Sequence, residues 1–436
     1  MKYTVRYIGL AATMGFALLA QSMASVRAAE PPADRGEYVA RLANCVACHS
    51  VPNAAPFSGG LKMATPLGAI YATNITPDKT NGIGNYSLED FDKAVRLGVA
   101  KDGHQLYPAM PYPSYAKMNA ADVQALYDFF MKTVQPAAVP NKPSEIPTPL
   151  NMRWPLAIWN IIFADDNAYK NVADKDAVWN RGAYLVQGAG HCGACHTPRG
   201  LAFNEKGYAE DDSAFLMGAP LDNWSASNLR QDVNTGLKRW TQADLEEFLK
   251  TGHNKFGTAF GTMTEVINNS TQYMTDADIT AMATYLRSLP GSREKDANPY
   301  TVDTKATEAL KARKYDVAGS MVYAQQCGTC HQSDGNGFAP YLPPLAGNPT
   351  VADPSAASLI NIVLNASLRN VVDGLPDSYK MPQYRVLLKD QEIADVVTFI
   401  RSSWGNKASA VTAKDVADIR KATDPASDQI NILRMK

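Results

Sequence analysis

The sequence predicts an all-α protein made of three tandem helical repeats. First, a five-residue pattern, C-x-x-C-H, occurs three times, at residues 45–49, 192–196 and 327–331. Second, a short helical lead precedes each copy, with Gly36, Gly182 and Gly319 standing 9, 10 and 8 residues before the first cysteine. Third, each repeat closes with an amphipathic helix, because apolar residues recur there at helical spacing.

The three closing helices are recognised by their apolar stripes. The stripe residues are Val123, Leu126, Tyr127, Phe130 and Val134 in the first repeat, Ile279, Met282, Ala283 and Leu286 in the second, and Ile393, Val396, Val397, Ile400 and Trp404 in the third. Asn119, Thr275 and Asp390 are the predicted N-caps of these helices. A repeat of roughly 100 residues has a thin core, so a covalently bound apolar cofactor would compensate for the missing apolar contacts.

Composition limits the class of protein. The chain has 436 residues and a mass of 47.2 kDa, which allows about three domains. Hydrophobic residues make up 45% of the chain, which is enough to build packed cores. The net charge is −1 and no run of lysine and arginine reaches five residues, so a nucleic-acid partner has no electrostatic support.

Residues 1–28 are expected to be a cleaved secretory signal peptide. Lys2 and Arg6 precede an uncharged, mostly apolar run, and small-residue cleavage sites end at residues 24 and 28. A transmembrane anchor is the alternative, but the apolar run is short for the roughly 20 residues that a spanning helix needs. Cleavage at residue 28 would leave 39 basic and 43 acidic residues, a net charge of −4.

The cysteine pattern predicts covalently attached haem. All six cysteines lie in the three copies of C-x-x-C-H, a pattern typical of haem c attachment, in which two thiols bond the vinyl groups of one haem and the following histidine binds its iron. A zinc site would need further ligands at suitable spacing, and a thioredoxin-like pair would need a βαβ context. The sequence therefore predicts three haem c groups, bound by the thiols of Cys45, Cys48, Cys192, Cys195, Cys327 and Cys330, with His49, His196 and His331 as iron ligands.

The second axial ligand of each iron is predicted by elimination. No histidine follows His331, so Met381 is the well-placed candidate for the third haem. Met110, Met263 and Met381 precede the first stripe residue of their closing helices by 13, 16 and 12 positions. These three methionines are therefore the predicted distal ligands, and His/Met ligation raises the potential of a haem.

Other histidines and methionines compete for these roles. His104 and His253 are the competing ligands and are expected at the surface or at a haem edge. His191 directly precedes Cys192 and cannot fold back onto the same iron. Met118 and Met274 stand against the starts of the closing helices, where packing is the better explanation.

These elements divide the chain into domains and linkers. Residues 32–136, 175–291 and 313–405 are expected to form three class I cytochrome c-like domains, each around one covalent haem c. Residues 137–174 form a Pro-rich and apolar linker, 292–312 a polar linker and 406–436 a polar tail. The apolar stretch 152–163 is interpreted as a helix packed between the repeats, with a contact to a partner subunit or to a membrane surface as the alternative.

Several longer motifs resemble one protein family. Residues 71–78 (YATNITPD), 107–113 (YPAMPYP), 152–156 (MRWPL), 191–200 (HCGACHTPRG) and 343–349 (PPLAGNP) are similar to the triheme cytochrome c subunits of bacterial periplasmic, membrane-bound dehydrogenases. Residues 102–107 and 113–116 look closest to the gluconate 2-dehydrogenase cytochrome c subunit. The resemblance implies a periplasmic protein attached peripherally to the cytoplasmic membrane. It also implies an FAD-containing dehydrogenase subunit and a small third subunit as partners, and ubiquinone as electron acceptor.

The resulting hypothesis is a non-catalytic electron-transfer subunit of a gluconate 2-dehydrogenase complex, which converts D-gluconate to 2-dehydro-D-gluconate. The cytochrome subunit of an alcohol, sorbitol or fructose dehydrogenase is the alternative within the family. A self-contained haem enzyme such as a peroxidase is disfavoured, because His/Met ligation leaves the iron no open position. A soluble periplasmic electron shuttle is disfavoured by the size of the chain and by its apolar linker.

Overall fold

The computed structural model describes residues 30–426 except 66, 297 and 378. The predicted signal peptide, residues 1–28, lies outside the described residues. Within these residues the regular structure is mostly helical, as the sequence predicts, with four short two-stranded antiparallel sheets that the sequence analysis did not predict. None of the helices in this part of the chain combines the length and apolar character that crossing a membrane requires.

The described chain contains α-helices of 3 to 13 residues. In chain order they are α1 Arg35–Leu42, α2 Cys45–His49, α3 Leu88–Asp92, α4 Tyr112–Tyr115, α5 Ala120–Lys132, α6 Pro155–Phe163, α7 Ala177–Gln187, α8 Gly193–His196, α9 Gln242–Thr251, α10 Thr262–Asn269, α11 Asp276–Ser288, α12 Lys305–Lys311, α13 Ser320–Val322, α14 Gly328–His331, α15 Pro349–Ala352, α16 Ala357–Asn365, α17 Asp390–Ser402 and α18 Ala413–Ala422. One π-helix, Lys93–Leu97, follows α3, and a second, Tyr323–Cys327, joins α13 to α14.

The strands form short hairpins between the helices. They are β1 Lys62–Thr65 with β2 Gly68–Tyr71, β3 Ala219–Leu221 with β4 Trp224–Ala226, β5 His253–Asn254 with β6 Gly257–Thr258, and β7 Val371–Val372 with β8 Leu375–Pro376. The longest pairs Lys62 with Tyr71 and Thr65 with Gly68. Segments this short carry too little alternation to be recognised in a sequence.

A close helix pair recurs three times along the chain. The leading helices α1, α7 and α13 pack against the closing helices α5, α11 and α17. Each leading segment meets its partner at a glycine, where an added Cβ would lie 2.1 Å (Gly36), 2.0 Å (Gly182) or 2.2 Å (Gly319) from a carbonyl oxygen of the closing helix. Glycine is required at these positions because any side chain would force the two backbones apart.

The closing helices bury the predicted stripes. All the stripe residues of the second and third repeats are buried, as are Val123, Leu126 and Phe130 of the first. Asn119 and Thr275 cap α5 and α11 as predicted, accepting hydrogen bonds from the backbone N–H groups three residues on. The third prediction was wrong by one residue, because Asp390 is the first residue of α17 and Lys389 precedes it.

The cores are not divided in the way the repeats are. The first and second repeats share one continuous hydrophobic core, which runs from Tyr38 in α1 to Leu289 after α11. The third repeat has its own core, which also includes Leu310 of the predicted linker and Val411 and Val416 of the predicted tail. The tail shows no strong stripe in the sequence, yet its helix α18 packs on α16 and α17.

A pseudo-twofold arrangement of ion pairs joins the first two repeats. Arg35 donates two hydrogen bonds to Asp122 of its own repeat, and Tyr184 of the second repeat donates a third to the same carboxylate. In the same way Arg181 donates two to Asp278, and Tyr38 of the first repeat donates the third, over 2.6 Å. The two repeats are thus held by equivalent contacts exchanged in both directions.

The apolar linker forms helix α6, and its position corrects the expected packing. On its inner side, Asn160 accepts a hydrogen bond from Tyr112 of the first repeat, and Trp159 donates one to the carbonyl of Ala202 in the second. The helix therefore bridges the two repeats. It does not lie buried between them, because none of its residues is buried.

Candidate haem-attachment sites

The three C-x-x-C-H motifs form three short helical turns. The first cysteine begins α2 and stands immediately before α8 and α14, and in each motif the second cysteine and the histidine lie within the helix. One turn therefore presents both thiols and the imidazole together. All six cysteines lie within the described residues, and none of them is paired in a disulfide.

The histidine of each motif is held in the same way. Its Nδ1 lies 2.7 Å from the carbonyl oxygen of Thr73 for His49 and 2.6 Å from that of Ser227 for His196. For His331 the partner is the carbonyl oxygen of Pro343, at 3.1 Å. Since a carbonyl only accepts, Nδ1 carries the proton and Nε2 is left as the free ligand nitrogen.

Two of the hairpins place these carbonyl groups. Thr73 follows strand β2 by two residues and Ser227 follows β4 directly. The sequence analysis missed this role, because a backbone acceptor leaves no signature in the residue type. Burial lowers the pKa of His49, His196 and His331 below the ordinary value, which favours the neutral imidazole that binds metal.

The thiols lie in an apolar environment. Burial raises the pKa of Cys45, Cys48, Cys192 and Cys327 to about 12 and that of Cys195 to about 11. The shift is opposite to the lowered pKa of the thiols in redox-active C-x-x-C pairs. Within the described residues no three His, Cys, Asp or Glu side chains cluster as a zinc site would need.

The second and third motifs open into one continuous cavity of about 290 Å³. The predicted site residues that line it are Cys192, Cys195, His196 and Met263 of the second repeat and Cys327, His331 and Met381 of the third. The rest of the lining is mainly apolar and aromatic, including Trp224, Trp240 and Phe256. The structure thus brings together two sets of predicted ligands that are far apart in the sequence.

Four polar side-chain atoms of residues that line this cavity indicate what it can hold. They are buried without a hydrogen-bond partner and are Nε1 of Trp240, the hydroxyls of Thr258 and Thr271, and Oδ1 of Asn44. An apolar group that carries carboxylates, as haem carries its propionates, would accept hydrogen bonds from the indole and the two hydroxyls. The residues present therefore fit haem c. The sequence analysis missed these side chains, because an isolated tryptophan, threonine or asparagine is normally read as core or surface.

The predicted methionine ligands occupy different local structures. Met110 and Met381 lie in loops, whereas Met263 is the second residue of α10, which is entered through Gly261 with a φ of 57°. Met110 and Met263 pack at the edge of the shared core of the first two repeats. Met118 and Met274 are completely buried within that core, in keeping with a packing role.

The remaining histidines are engaged elsewhere. His104 is exposed and contacts Asp102, as expected for a surface residue. His253 is buried and therefore does not take the expected surface position; its Nε2 lies 2.5 Å from the carboxylate of Asp377 in the third repeat. His191 donates from Nδ1 to the carbonyl of Ala189, two residues before it.

A buried acid adjoins the second motif. Glu205 is buried, and its Oε2 has no hydrogen-bond partner, although Arg199 lies 3.7 Å from the other carboxylate oxygen. Burial raises the pKa of Glu205 to about 7. A Cβ on Gly193 would lie 2.4 Å from Oε2, so this side chain packs directly against α8.

Comparison with known proteins shows which protein family the chain resembles. A cytochrome c family model matches residues 180–290 and 317–404, which contain the second and third motifs. The chain is 51% identical to the gluconate 2-dehydrogenase cytochrome c subunit of Pantoea cypripedii, over 94% of this chain and 93% of that protein. It is 47% identical to the cytochrome c subunit of a quinone alcohol dehydrogenase from Gluconacetobacter polyoxogenes, over 90% and 85% of the two chains. It is 37% identical to the fructose dehydrogenase cytochrome subunit of Gluconobacter japonicus, over 89% and 83%.

Proposed function

Because this chain belongs to the family of cytochrome c subunits of dehydrogenase complexes, we propose that it is the electron-transfer subunit of a gluconate 2-dehydrogenase complex. The complex oxidises D-gluconate to 2-dehydro-D-gluconate on an FAD-containing subunit, and a small third subunit completes it. This chain accepts the electrons and passes them to ubiquinone. It works in the periplasm, attached peripherally to the cytoplasmic membrane.

The observation that carries the proposal is the repeated geometry of the three motifs. In each one a histidine is oriented by a backbone carbonyl, so that Nε2 is free beside two thiols, all of them partly buried except the exposed thiol of Cys330. Haem c attached at these sites would supply reversible one-electron transfer at its iron. The orienting carbonyls fix the ring plane and tautomer of each histidine, and so reduce the rearrangement that accompanies a change in charge.

We propose one set of ligands for each haem. We assign the covalent attachment to the three cysteine pairs and the proximal positions to His49, His196 and His331. The distal positions are assigned to Met110, Met263 and Met381. For the second and third sites this is supported by the shared cavity, whose lining contains both the histidine and the methionine of each pair. Because one cavity contains both ligand pairs, haems bound at the second and third sites would be neighbours, an arrangement that suits direct electron transfer between them.

The choice of substrate is based on the related subunits. The identity to the gluconate 2-dehydrogenase cytochrome c subunit, 51%, supports gluconate. The identity to the alcohol dehydrogenase subunit, 47%, makes ethanol the competing substrate class. The dehydrogenase subunit selects the substrate, and the cytochrome subunit only accepts the electrons. The substrate is therefore identified by the compound that reduces the haem in the complex.

Two measurements test the proposal. A pyridine haemochrome assay should give three haems per chain, and a ratio of two would contradict the assignment of all three motifs. In the complex purified from native membranes, D-gluconate should reduce the haem, whereas ethanol, D-sorbitol and D-fructose should not. Reduction of the haem by ethanol would show that the complex oxidises ethanol instead of gluconate. Reduction of the isolated cytochrome by gluconate would contradict its role as a non-catalytic subunit.

A further inference from the structure

The predicted ligand Met381 lies in a loop that contacts the second repeat. We define the Met381 loop as residues 366–383, which connect α16 to Tyr384 and include the hairpin of β7 and β8. Met381 itself lines the cavity and packs against the edge of the third core. The loop is therefore part of the third repeat, and the question is what holds it in place.

Two amide side chains of the second repeat bind the backbone of the loop. Asn268, in α10, donates to the carbonyl of Arg369 over 3.1 Å and accepts from the N–H of Val371 over 2.8 Å. Gln272, which is buried, donates to the carbonyl of Val371 over 2.8 Å and accepts from the N–H of Asp373 over 3.0 Å. Because an amide carries a donor and an acceptor side by side, each of these side chains satisfies two backbone groups of the loop at once.

A buried histidine of the second repeat holds the loop closer to Met381. Nε2 of His253, in β5, lies 2.5 Å from the carboxylate of Asp377, and the side chain of His253 is only 1% exposed. The imidazole also faces the ring of Tyr341 in the third repeat, with 5.7 Å between the ring centroids. Asp377 stands four residues before Met381, so the chain between them spans at most roughly 14 Å. The contact with His253 therefore limits where Met381 can lie.

The chain after Met381 is anchored within the third repeat. The N–H of Tyr384 donates to the carbonyl of Val363 over 2.9 Å, and its hydroxyl donates to the carbonyl of Gln326 over 2.8 Å. Met381 thus lies between two anchored positions, one bound by the second repeat and one by the third. Since a methionine side chain is flexible, the position of its sulfur depends on how firmly the backbone on both sides is held.

Helix α10 links the loop to the predicted distal ligand of the second haem. The N–H of Gly261, which precedes the helix, donates to the hydroxyl of Ser367 in the Met381 loop over 3.0 Å. Met263 is the second of the eight residues of α10, and Asn268 is the seventh. One short helix thus carries Met263 and binds the loop that carries Met381.

We propose that Asn268, Gln272 and His253 of the second repeat are positioning residues for the third haem, because they hold the loop that brings Met381 to its iron. The inference rests on the proposed function, in which Met381 is the distal ligand of that iron. It adds that the third site is incomplete without the second repeat. Loss of these contacts should release Met381 from the iron more often and so open the ferric iron to external ligands.

Competition with imidazole tests the proposal in the full holoprotein. Imidazole binds the ferric iron only when the methionine has left it, so its apparent affinity reports how firmly Met381 is held. Gln272→Leu removes two of the hydrogen bonds to the loop and should raise the affinity of the third haem for imidazole at least about tenfold. The reduction potential of that haem should fall at the same time. Because Gln272 is buried, Asp377→Ala provides a second variant at a more exposed side chain, with the same expected result.

The matched control breaks a different contact between the same two repeats. Nδ2 of Asn361, in α16, donates to the carbonyl of Asn223 over 3.0 Å, and this contact does not involve the Met381 loop. Asn361→Leu should therefore change the affinity of the third haem for imidazole less than about twofold.

Haem-specific signals separate the outcomes. The near-infrared sulfur-to-iron band that disappears in Met381→Ala identifies the third haem. If Gln272→Leu and Asp377→Ala bind imidazole as the control does, the second repeat does not position Met381, and this inference fails while the proposed ligand set stands. An equal rise in affinity at all three haems would also overturn it, because the protein would then be loosened throughout. Three unchanged bands in Met381→Ala would overturn the proposed ligand set and this inference together.

Discussion

The replacement Asp278→Asn tests the pseudo-twofold junction between the first two repeats. The carboxylate is buried and accepts three hydrogen bonds, two from Arg181 at 2.8 and 2.7 Å and one from Tyr38 at 2.6 Å. Removing one partner of a fully buried ion pair costs about 3–5 kcal/mol. The side chain of Arg181 is 31% exposed and regains some hydration, so we expect a loss of about 3 kcal/mol in the free energy of unfolding.

The equivalent replacement in the first repeat gives an internal comparison. Asp122 accepts the equivalent hydrogen bonds from Arg35 and Tyr184, but the side chain of Arg35 is 47% exposed. Asp122→Asn should therefore cost less, about 2 kcal/mol. Asp418→Asn is the matched control, because Asp418 pairs with Lys414 on an exposed helix surface and should contribute less than about 0.5 kcal/mol.

Urea denaturation of the holoprotein, followed by circular dichroism and by haem absorbance, measures these differences. Tyr38→Phe should cost about 1.5–3 kcal/mol alone and much less in the Asp278→Asn background, because the hydrogen bond is already lost. The reasoning would be refuted if Asp278→Asn behaved like the surface control, or if the tyrosine and aspartate replacements were additive.

Three further predictions concern pH, ligation and packing. Burial raises the pKa of Tyr38 to about 12, so the folded protein keeps the phenol proton at pH values where the unfolded chain has lost it. The free energy of unfolding should therefore fall as the pH rises from 10 to about 12, and this fall should be smaller in Tyr38→Phe when both proteins are unfolded across a pH series. Met381→Ala should leave three haems attached but lower the reduction potential of one haem and abolish its near-infrared sulfur-to-iron absorbance band. The control Met118→Leu should keep all three bands, and three bands in Met381→Ala would show the ligand assignment to be wrong. Gly182→Ala places a Cβ 2.0 Å from a carbonyl oxygen of α11 and should lower the free energy of unfolding by about 1–3 kcal/mol. The control Gly257→Ala should cost less than about 1 kcal/mol, because the nearest heavy atom would lie 3.6 Å from the added Cβ. Equal thermal denaturation curves for the two variants would contradict the close packing.

Features that depend on local spacing can be predicted from the amino-acid sequence. Two thiols and an imidazole on one turn need only the pattern C-x-x-C-H, so the three attachment motifs can be read without a structure. The apolar stripes of α5, α11 and α17 are likewise local, because a helix with a 3.6-residue period aligns them whatever it packs against. The caps Asn119 and Thr275 follow the same logic, and the error at Asp390 is one residue at a helix end, where assignments are least definite.

Contacts between distant parts of the chain could not be predicted in this way, because they depend on how the repeats pack. The exchange of Tyr38 and Tyr184 between repeats, the burial of His253 against Asp377 and the cavity shared by the second and third motifs join residues that are 62 or more positions apart. Backbone acceptors such as the carbonyl of Ser227 carry no residue preference, so no sequence pattern marks them. The exposure of the apolar side chains of α6 could not be predicted for a related reason: hydrophobicity marks a segment as apolar, and only the fold decides whether that segment is buried or exposed.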